Sequence, residues 1–577
     1  MDKWTICNKT GDFEEIMRQT GVSMITARLL VNRGMTDIAE IRSFLNPQAG
    51  DLHSPHLLKN LDAAVELITR KISSGVRIRV VGDYDVDGIM ATYILDDALH
   101  LAGADSDWYI PHRIRDGYGL NEEIISTAHA DGVDTVITCD NGIAAVTASK
   151  TAAAYGMTLV ITDHHELPDE LPEAAVIVDP KQPEETYPCR EICGAVVAAK
   201  LAQALFERLG IKEDITRYLD CMAMATICDV VALKGENHVI ASLGMEQLRH
   251  TANKGLSALM EEAVIAVDTL SEYHVGFVLG PCFNATGRID DAGLAMALLK
   301  AQSSEEAHRY AAECRNLNEE RKTMTAEQEQ LAVTELDAMA EQLPRVMVVE
   351  MKDCHESILG IIAGRLKERY NRPAIVVTHR HDGYKGSARS IPGYNMFEEL
   401  KKCSEHLVRF GGHPMAAGLT VREGSLEAFR QALNDNCMLT ADDMQHKVQI
   451  DAEVSFNLFT EAILEEMTGL APFGQGNPAP LFAERNLYVR SIRRMGKEGN
   501  FLRFRFVNSF GHEISAVSFD DAEETLDRLR EKFGSSDVDR ALNGGDNRLV
   551  LTAAYVPRLN EFHDVREIQM NIKALRI

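Results

Sequence analysis

Between residues 75 and 180, short apolar runs alternate with longer amphipathic stretches. Four of the runs read as buried strands, and each stops at acidic residues. RIRVVGDYDVDG ends on Asp83, Asp85 and Asp87, TVITCDNG on Asp140, TLVITDHHE on Asp163, His164 and His165, and AAVIVDP on Asp179. ATYILDDALHLAGA follows the first run and AAVTASKTAAAYG the second, each long enough for a crossover helix. This is the rhythm of an α/β fold with a doubly wound, mostly parallel sheet, which collects its reactive groups at the carboxyl ends of the strands. Residues 1–48 read as a helical segment closing at Pro47. Residues 303–342 contain neither Gly nor Pro and open on a Ser303–Glu306 capping pair; as one helix they would span roughly 60 Å. A second α/β unit follows, with RVMVVE and AIVVTHR as strands around the helix SILGIIAGRLKERY. Beyond about 450, NLYVRSIRRM, FLRFRFV and HEISAVSF alternate as in a β-meander, Phe504 and Phe506 inward, Arg503 and Arg505 outward, so a small barrel is expected. The expected division is 1–48 helical, 49–302 catalytic α/β, 303–342 linker helix, 343–445 second α/β and 446–577 barrel.

A chain of 577 residues exceeds one core, which agrees with several domains. The 11 cysteines form no CxxC pair, as expected of reduced, buried thiols in a cytoplasmic protein. The first residues lack the apolar stretch of a signal peptide, and no window is apolar enough to suggest a membrane span. A net charge of −27 argues against a protein that coats DNA electrostatically. It leaves room for a local basic groove, because charges are screened beyond roughly 8 Å at physiological ionic strength.

The acidic runs carry the chemistry. On an extended strand, Asp83, Asp85 and Asp87 would point to one side, and three adjacent anions call for cations between them. Asp140 ends the next strand of the same sheet. Asp163, His164 and His165 follow, and two neighbouring histidines cannot point the same way: one is left to ligate a metal, the other to face substrate. Asp179, before Pro180, reads as a turn residue. Asp229 in ICDVVAL is undecided by composition alone. Oxygen ligands with one or two imidazoles suit Mn²⁺ or Mg²⁺. Two such ions, roughly 3.5–4 Å apart, support in-line attack of water on a phosphodiester. A P-loop, a GxSxG elbow and an HExxH motif are all absent.

GDYDVDG, CDNG, DHH and ICDVV occur in the order and approximate spacing of the four motifs of DHH phosphoesterases. PCFNATGR (281–288), LNEER (317–321), GSARS (386–390), FGGHPMAAG (410–418) and LAPFGQGNPAP (470–480) resemble the RecJ branch of that family. The resemblance implies DHH, linker-helix, DHHA1 and OB-fold parts, and 5′-to-3′ degradation of single-stranded DNA to mononucleotides in recombination and repair. It implies two Mn²⁺ or Mg²⁺ ions on Asp83, Asp85, Asp87, Asp140, His164 and Asp229. His165 would contact the scissile phosphate with Asp163 behind a histidine, so that His165, Asp163 and Asp140 form the catalytic group. Arg113, Arg288, Ser387 and Arg389 resemble residues that hold the DNA backbone and its 5′ phosphate, a task that suits the two parallel donors of a guanidinium. His413 is either a phosphate contact or structural. Arg490, Arg493, Arg494, Lys497, Arg503 and Arg505 give the barrel a basic run that either tracks a single strand or is a solvated face.

Implied partners are single-stranded DNA, a single-strand-binding protein and a helicase, with a monomeric enzyme and no membrane. Cys282, Thr286, Pro414 and His238 depart from the family pattern in segments expected near DNA. The competing readings are a DHH-type oligonucleotide or cyclic-dinucleotide phosphodiesterase and a non-catalytic DNA-binding scaffold. The added barrel speaks against the first, the retained acids against the second.

Overall fold

The computed structural model describes residues 3–339, 342–562 and 565–577. The chain forms two compact units, one from His53–Val231 with Leu243–His446, the other from Met1–Leu52, Ala232–Ser242 and Lys447–Ile577.

In the first unit, a five-stranded sheet runs in the order Ser106–Tyr109, Ile78–Val81, Thr135–Cys139, Thr158–Thr162, Val176–Val178, all neighbours parallel. IRVV and TVITC are buried throughout, as strands covered on both faces must be. Between residues 75 and 180, sequence reading passed over two elements, the strand Ser106–Tyr109 and the helix Glu122–Ala130. The strand is a half-exposed edge whose SDWY has no apolar run to announce it. It is held by charge instead: Arg77 Nη2 and Arg79 Nε each lie 2.7 Å from the Asp107 carboxylate. With that edge strand in place the strand order reverses between Ile78–Val81 and Thr135–Cys139, and such a reversal opens a crevice at the strands' carboxyl ends.

Residues Ser304–Met339 form one helix of 36 residues; residues 340 and 341, part of the expected linker, lie outside the described ones. Its start is capped: Ser303 Oγ accepts from Glu306 N at 3.1 Å, and the Glu306 carboxylate accepts from Gln302 N at 3.0 Å. Its last turns bury Ala332, Val333 and Leu336 against Ile362 and Leu366 of the helix Leu359–Tyr370. That helix lies on a second sheet, ordered Leu407–His413, Ala416–Val421, Gly383–Arg389, Ala374–Arg380, Met347–Glu350, in which only the last pair is parallel.

In the other unit, Phe482–Met495, Phe501–Val507 and Glu513–Ser518 form the expected meander. Val565–Arg576 and Val550–Phe562 complete it, and the last pairs back to Phe482–Met495 and closes a five-strand barrel. Phe504 and Phe506 are buried and Arg503 and Arg505 exposed, as the alternation predicts. The N-terminal segment is not purely helical, because Lys3–Ile6 is a strand that pairs in parallel with Lys447–Ile450. Its helices share the barrel's core through Leu29, Leu30, Ile41 and Phe44. In LAPFGQGNPAP, buried Asn477 donates to the carbonyls of Leu470 (2.8 Å) and Pro472 (2.9 Å) and accepts from Arg33 Nε at 2.7 Å, so the motif is a structural knot.

Candidate active site

The first strand ends at Val81, before the three aspartates, so strand alternation does not align them. A loop-to-helix turn brings them together instead. Asp83 is buried in the loop, Asp85 caps the helix Val86–Leu101 by accepting from Gly88 N at 3.1 Å, and Asp87 lies in that helix's first turn. Gly88 permits the turn, since a Cβ there would come within 2.6 Å of the Asp83 backbone. The Asp87 carboxylate accepts from Gly194 N (2.6 Å) and Ala195 N (2.7 Å), the first amides of the helix Gly194–Leu209.

Asp140 leaves its strand at φ 59°, a left-handed conformation that Asp tolerates better than most residues. Asn141 ties the crevice beneath, donating to the carbonyls of Val81 (3.0 Å) and Cys139 (2.9 Å) and accepting from Leu120 N at 3.1 Å. His164 Nε2 lies 3.0 Å from Asp140 and 3.5 Å from Asp87, with Nδ1 4.0 Å from Asp229. Asp163 is filled by donors: Ile143 N at 2.9 Å, His164 N at 2.8 Å and His165 Nδ1 at 2.7 Å. The two histidines therefore diverge, His164 into the carboxylates and His165 toward Tyr118, whose hydroxyl is 3.3 Å from its Nε2.

Donor atoms of Asp83, Asp85 and Asp140 lie within 4.8 Å of one another, and so do those of Asp87, His164 and Asp229. Asp83 Oδ1 is buried with no hydrogen-bond partner among the described residues. Burial, and then repulsion from the neighbouring carboxylates, raises the pKa values of Asp83, Asp85 and Asp140 and takes Asp229 to about 8. A set of hard oxygen donors with one imidazole, self-repelling and partly unpaired, fits divalent cations. His165 stands apart. Burial alone would depress it, but the Asp163 hydrogen bond and charge prevail and raise it to about 9. Asp179 is a buried turn residue that accepts from Lys181 N at 2.7 Å; burial takes it to about 7.

Beside the acids lies a group of guanidiniums. Arg113 stacks 4.4 Å over the ring of Tyr84, between Asp83 and Asp85 in sequence. Burial, then the charges of Arg113 and Arg321, lower Arg288 to about 9; burial and Arg113 also lower Arg389. Arg288 Nη1 donates to Ser357 O at 2.8 Å, and Arg389 Nη1 donates to Ser387 Oγ at 3.1 Å. Gly360 makes room, since a Cβ there would meet Arg389 Nη2 at 2.8 Å and Ser387 Oγ at 2.9 Å. Such mutual repulsion marks a place for an anion.

The structure thus gathers Asp83, Asp85, Asp87, Asp140, Asp163, His164, His165 and Asp229 in one centre and Arg113, Arg288, Ser387 and Arg389 in another. His413 is hydrogen-bonded to neither; it is exposed, on a hairpin opposite Ala416. Sequence reading missed Tyr118, Asn141 and Arg321. The GYG around Tyr118 and the LNEER around Arg321 were visible, but nothing local shows what they face. Cys282, a departure from the family pattern, is buried and accepts from Asn318 Nδ2 at 3.5 Å. His238 is buried and stacks on Phe44 at 3.8 Å.

Carboxylates backed by an imidazole, at the switch point of a parallel sheet and next to an anion cradle, define a metal-dependent phosphoesterase. Models of known domains agree: the DHH family N-terminal domain matches residues 77–226, the DHHA1 domain 343–438 and the RecJ OB domain 450–574. The single-stranded-DNA-specific exonuclease RecJ of Escherichia coli (strain K12) is 33% identical over 447 residues, 74% of this chain and 78% of the relative. The protein of the same name from Bacillus subtilis (strain 168) is 36% identical over 526 residues, 90% of this chain, which spans 66% of that relative's length. The crystal structure of RecJ in complex with Mn²⁺ from Thermus thermophilus matches with a TM-score of 0.82 at 26% identity, covering 100% of this chain and 79% of the other. The chain belongs to the RecJ family.

Proposed function

We propose that the chain hydrolyses single-stranded DNA from its 5′ end, releasing mononucleotides by two-metal-ion chemistry, in recombination and repair. One observation carries this reading: an acidic centre and a guanidinium cluster meet at Tyr84, with Arg113 over its ring. An enzyme that cuts anywhere along a strand needs no second phosphate site, whereas one that counts from an end needs a stop for the terminal phosphate. Arg113, Arg288, Ser387 and Arg389 supply that stop.

Asp83, Asp85, Asp87, Asp140, His164 and Asp229 would hold two ions, Mn²⁺ or Mg²⁺; RecJ from Thermus thermophilus has been crystallised in complex with each of these metals. When bound, such ions supply Lewis-acid activation of water and neutralise charge at phosphorus. The protein's own groups do the rest. Asp163 holds the His165 ring from behind through Nδ1, and His165 would contact the scissile phosphate. Asp87, pinned by two helix amides, sets the crevice against which the strand is held.

A helicase to expose the strand and a single-strand-binding protein to keep it open are the proposed partners of a cytoplasmic monomer. The five-part division of the chain belongs to the same proposal, as does backbone tracking by the barrel's basic run, Arg490, Arg493, Arg494, Lys497, Arg503 and Arg505. Comparing 5′-phosphorylated and 5′-hydroxyl strands tests the reading. The wild type prefers the phosphorylated strand, and Arg288→Ala removes that preference by about 1–3 kcal/mol of transition-state binding. Equal rates on both strands in the wild type overturn the end-stop, and faster cleavage of dinucleotides than of long strands would favour an oligonucleotide phosphodiesterase.

A further inference from the structure

Asp229 comes to the acidic centre at the end of the helix Leu219–Cys228, and the residue after it stands in an uncommon conformation. Asp229 N still donates to Ala225 O at 2.8 Å, so the aspartate belongs to the helix's last turn. Val230 then turns left-handed, with φ 59°, and its N donates to Ile227 O at 3.3 Å. Glycine or asparagine ordinarily fills this place after a helix. A β-branched residue there is strained, because its side chain crowds the backbone. Val230 is also 63% exposed, so packing of its side chain does not offset the strain.

The conformation is imposed from both sides. Before it, Cys228 Sγ donates to Val275 O at 3.7 Å, and a Cβ on Gly280 would collide with that sulfur, so the helix end is firmly seated. After it, Ala232 begins a stretch that belongs to the other unit. There Leu233 N donates to Gln475 O at 2.7 Å, and Asn237 Nδ2 donates to Ala232 O at 3.1 Å. Only Val230 and Val231 separate Asp229 from that anchorage. Val264 repeats the conformation, with φ 56° and 84% exposure, after the helix Lys254–Glu262, which carries none of the proposed ligands. The molecule thus holds its own comparison.

We propose that Val230 is a positioning residue for Asp229: its stiff left-handed turn stops the helix at the aspartate and holds the carboxylate where Asp87 and His164 meet it. That carboxylate lies 4.0 Å from His164 Nδ1, and donor atoms of the three residues fall within 4.8 Å of one another. A glycine would make the same turn without strain, but it would also visit many others and let the end of the helix fray. The inference rests on the two-ion reading above and extends it to the backbone behind one ligand.

Mn²⁺ binding to the full-length protein without DNA, followed by loss of the free-ion signal in electron paramagnetic resonance, tests it, with steady-state kinetics on a 5′-phosphorylated single strand alongside. Val230→Gly weakens one of the two ions about tenfold, the usual effect of releasing a group behind a ligand, and lowers kcat while KM for DNA stays the same. Val264→Gly relieves the same conformation elsewhere and keeps wild-type Mn²⁺ affinity and rate. Val230→Ile, β-branched like the original, keeps both as well. Wild-type Mn²⁺ affinity in Val230→Gly overturns the positioning role, whether KM for DNA is unchanged or raised; a raised KM would make Val230 a substrate contact. A Val230→Gly that melts well below Val264→Gly in chelator has only a structural role at this turn, and overturns it too. If Asp229→Ala binds both ions as the wild type does, or the wild type binds none, the ligand reading of Asp229 falls together with the inference.

Discussion

Asp163 lies in the acidic centre, its carboxylate within 4.8 Å of ligand atoms of Asp140, His164 and His165, and it holds the His165 ring in place. Its carboxylate accepts three backbone amides, those of Ile143, His164 and His165, and His165 Nδ1, so replacing it leaves the His165 ring free to turn. Asp163→Asn is expected to lower kcat/KM about 10–100-fold with the fold retained, the usual cost of losing a group that orients a metal site. A second residue-scale prediction concerns His238. Burial takes its pKa from 6.5 down to about 4, the hydrogen bond with Phe44 O countering only in part. The unfolded chain therefore binds a proton between those values and the folded chain does not. His238 contributes stability that is fully present above pH 6.5 and is lost as pH falls toward 4, up to about 3 kcal/mol. Urea unfolding across that range should show the loss in the wild type and a shallower decline in His238→Gln. At this scale the sequence was legible where chemistry is local. The adjacency of Asp163, His164 and His165 already required divergent rings, whereas Tyr118 and Arg321 acquire meaning only from neighbours distant in the chain.

The elements show why some readings succeeded and others did not. Buried strands such as TVITC and LVIT announce themselves as continuous apolar runs, and the barrel's FLRFRFV by strict alternation. The edge strand Ser106–Tyr109 had neither signal, because its place is secured by Arg77 and Arg79 on Asp107. The three aspartates of GDYDVDG were expected on one side of a strand and instead converge through a helix start, since Gly82 and Gly88 end the extended conformation early. Helix starts also set the opposite wall. Gly194 donates to Asp87, and a Cβ on it would lie 2.6 Å from Asp140 Cβ and 2.9 Å from its Cα. Gly194→Ala must displace Asp140 or the helix. It is expected to cost about 1–3 kcal/mol of stability and at least tenfold in kcat/KM, read by urea unfolding and by nuclease rate.

Over the whole molecule, the net charge of −27 and a DNA substrate are compatible because the charges are sorted. Carboxylates concentrate where cations are expected, and Arg113, Arg288, Arg321 and Arg389 stand beside them where a phosphate is expected. A diffuse positive surface would bind any DNA; a small cationic cradle next to a metal centre binds an end. That pairing of an end-stop with a two-ion centre is the central claim. Digestion of single strands labelled at the 5′ or the 3′ end, with Mn²⁺ or Mg²⁺ and alongside Asp140→Ala, tests it most directly. The account predicts that the 5′ label appears at once as mononucleotide and the 3′ label only at the end, that duplex DNA resists, and that both chelator and Asp140→Ala abolish the reaction. Release that begins at the 3′ end, or cleavage that Asp140→Ala leaves unchanged, would contradict it.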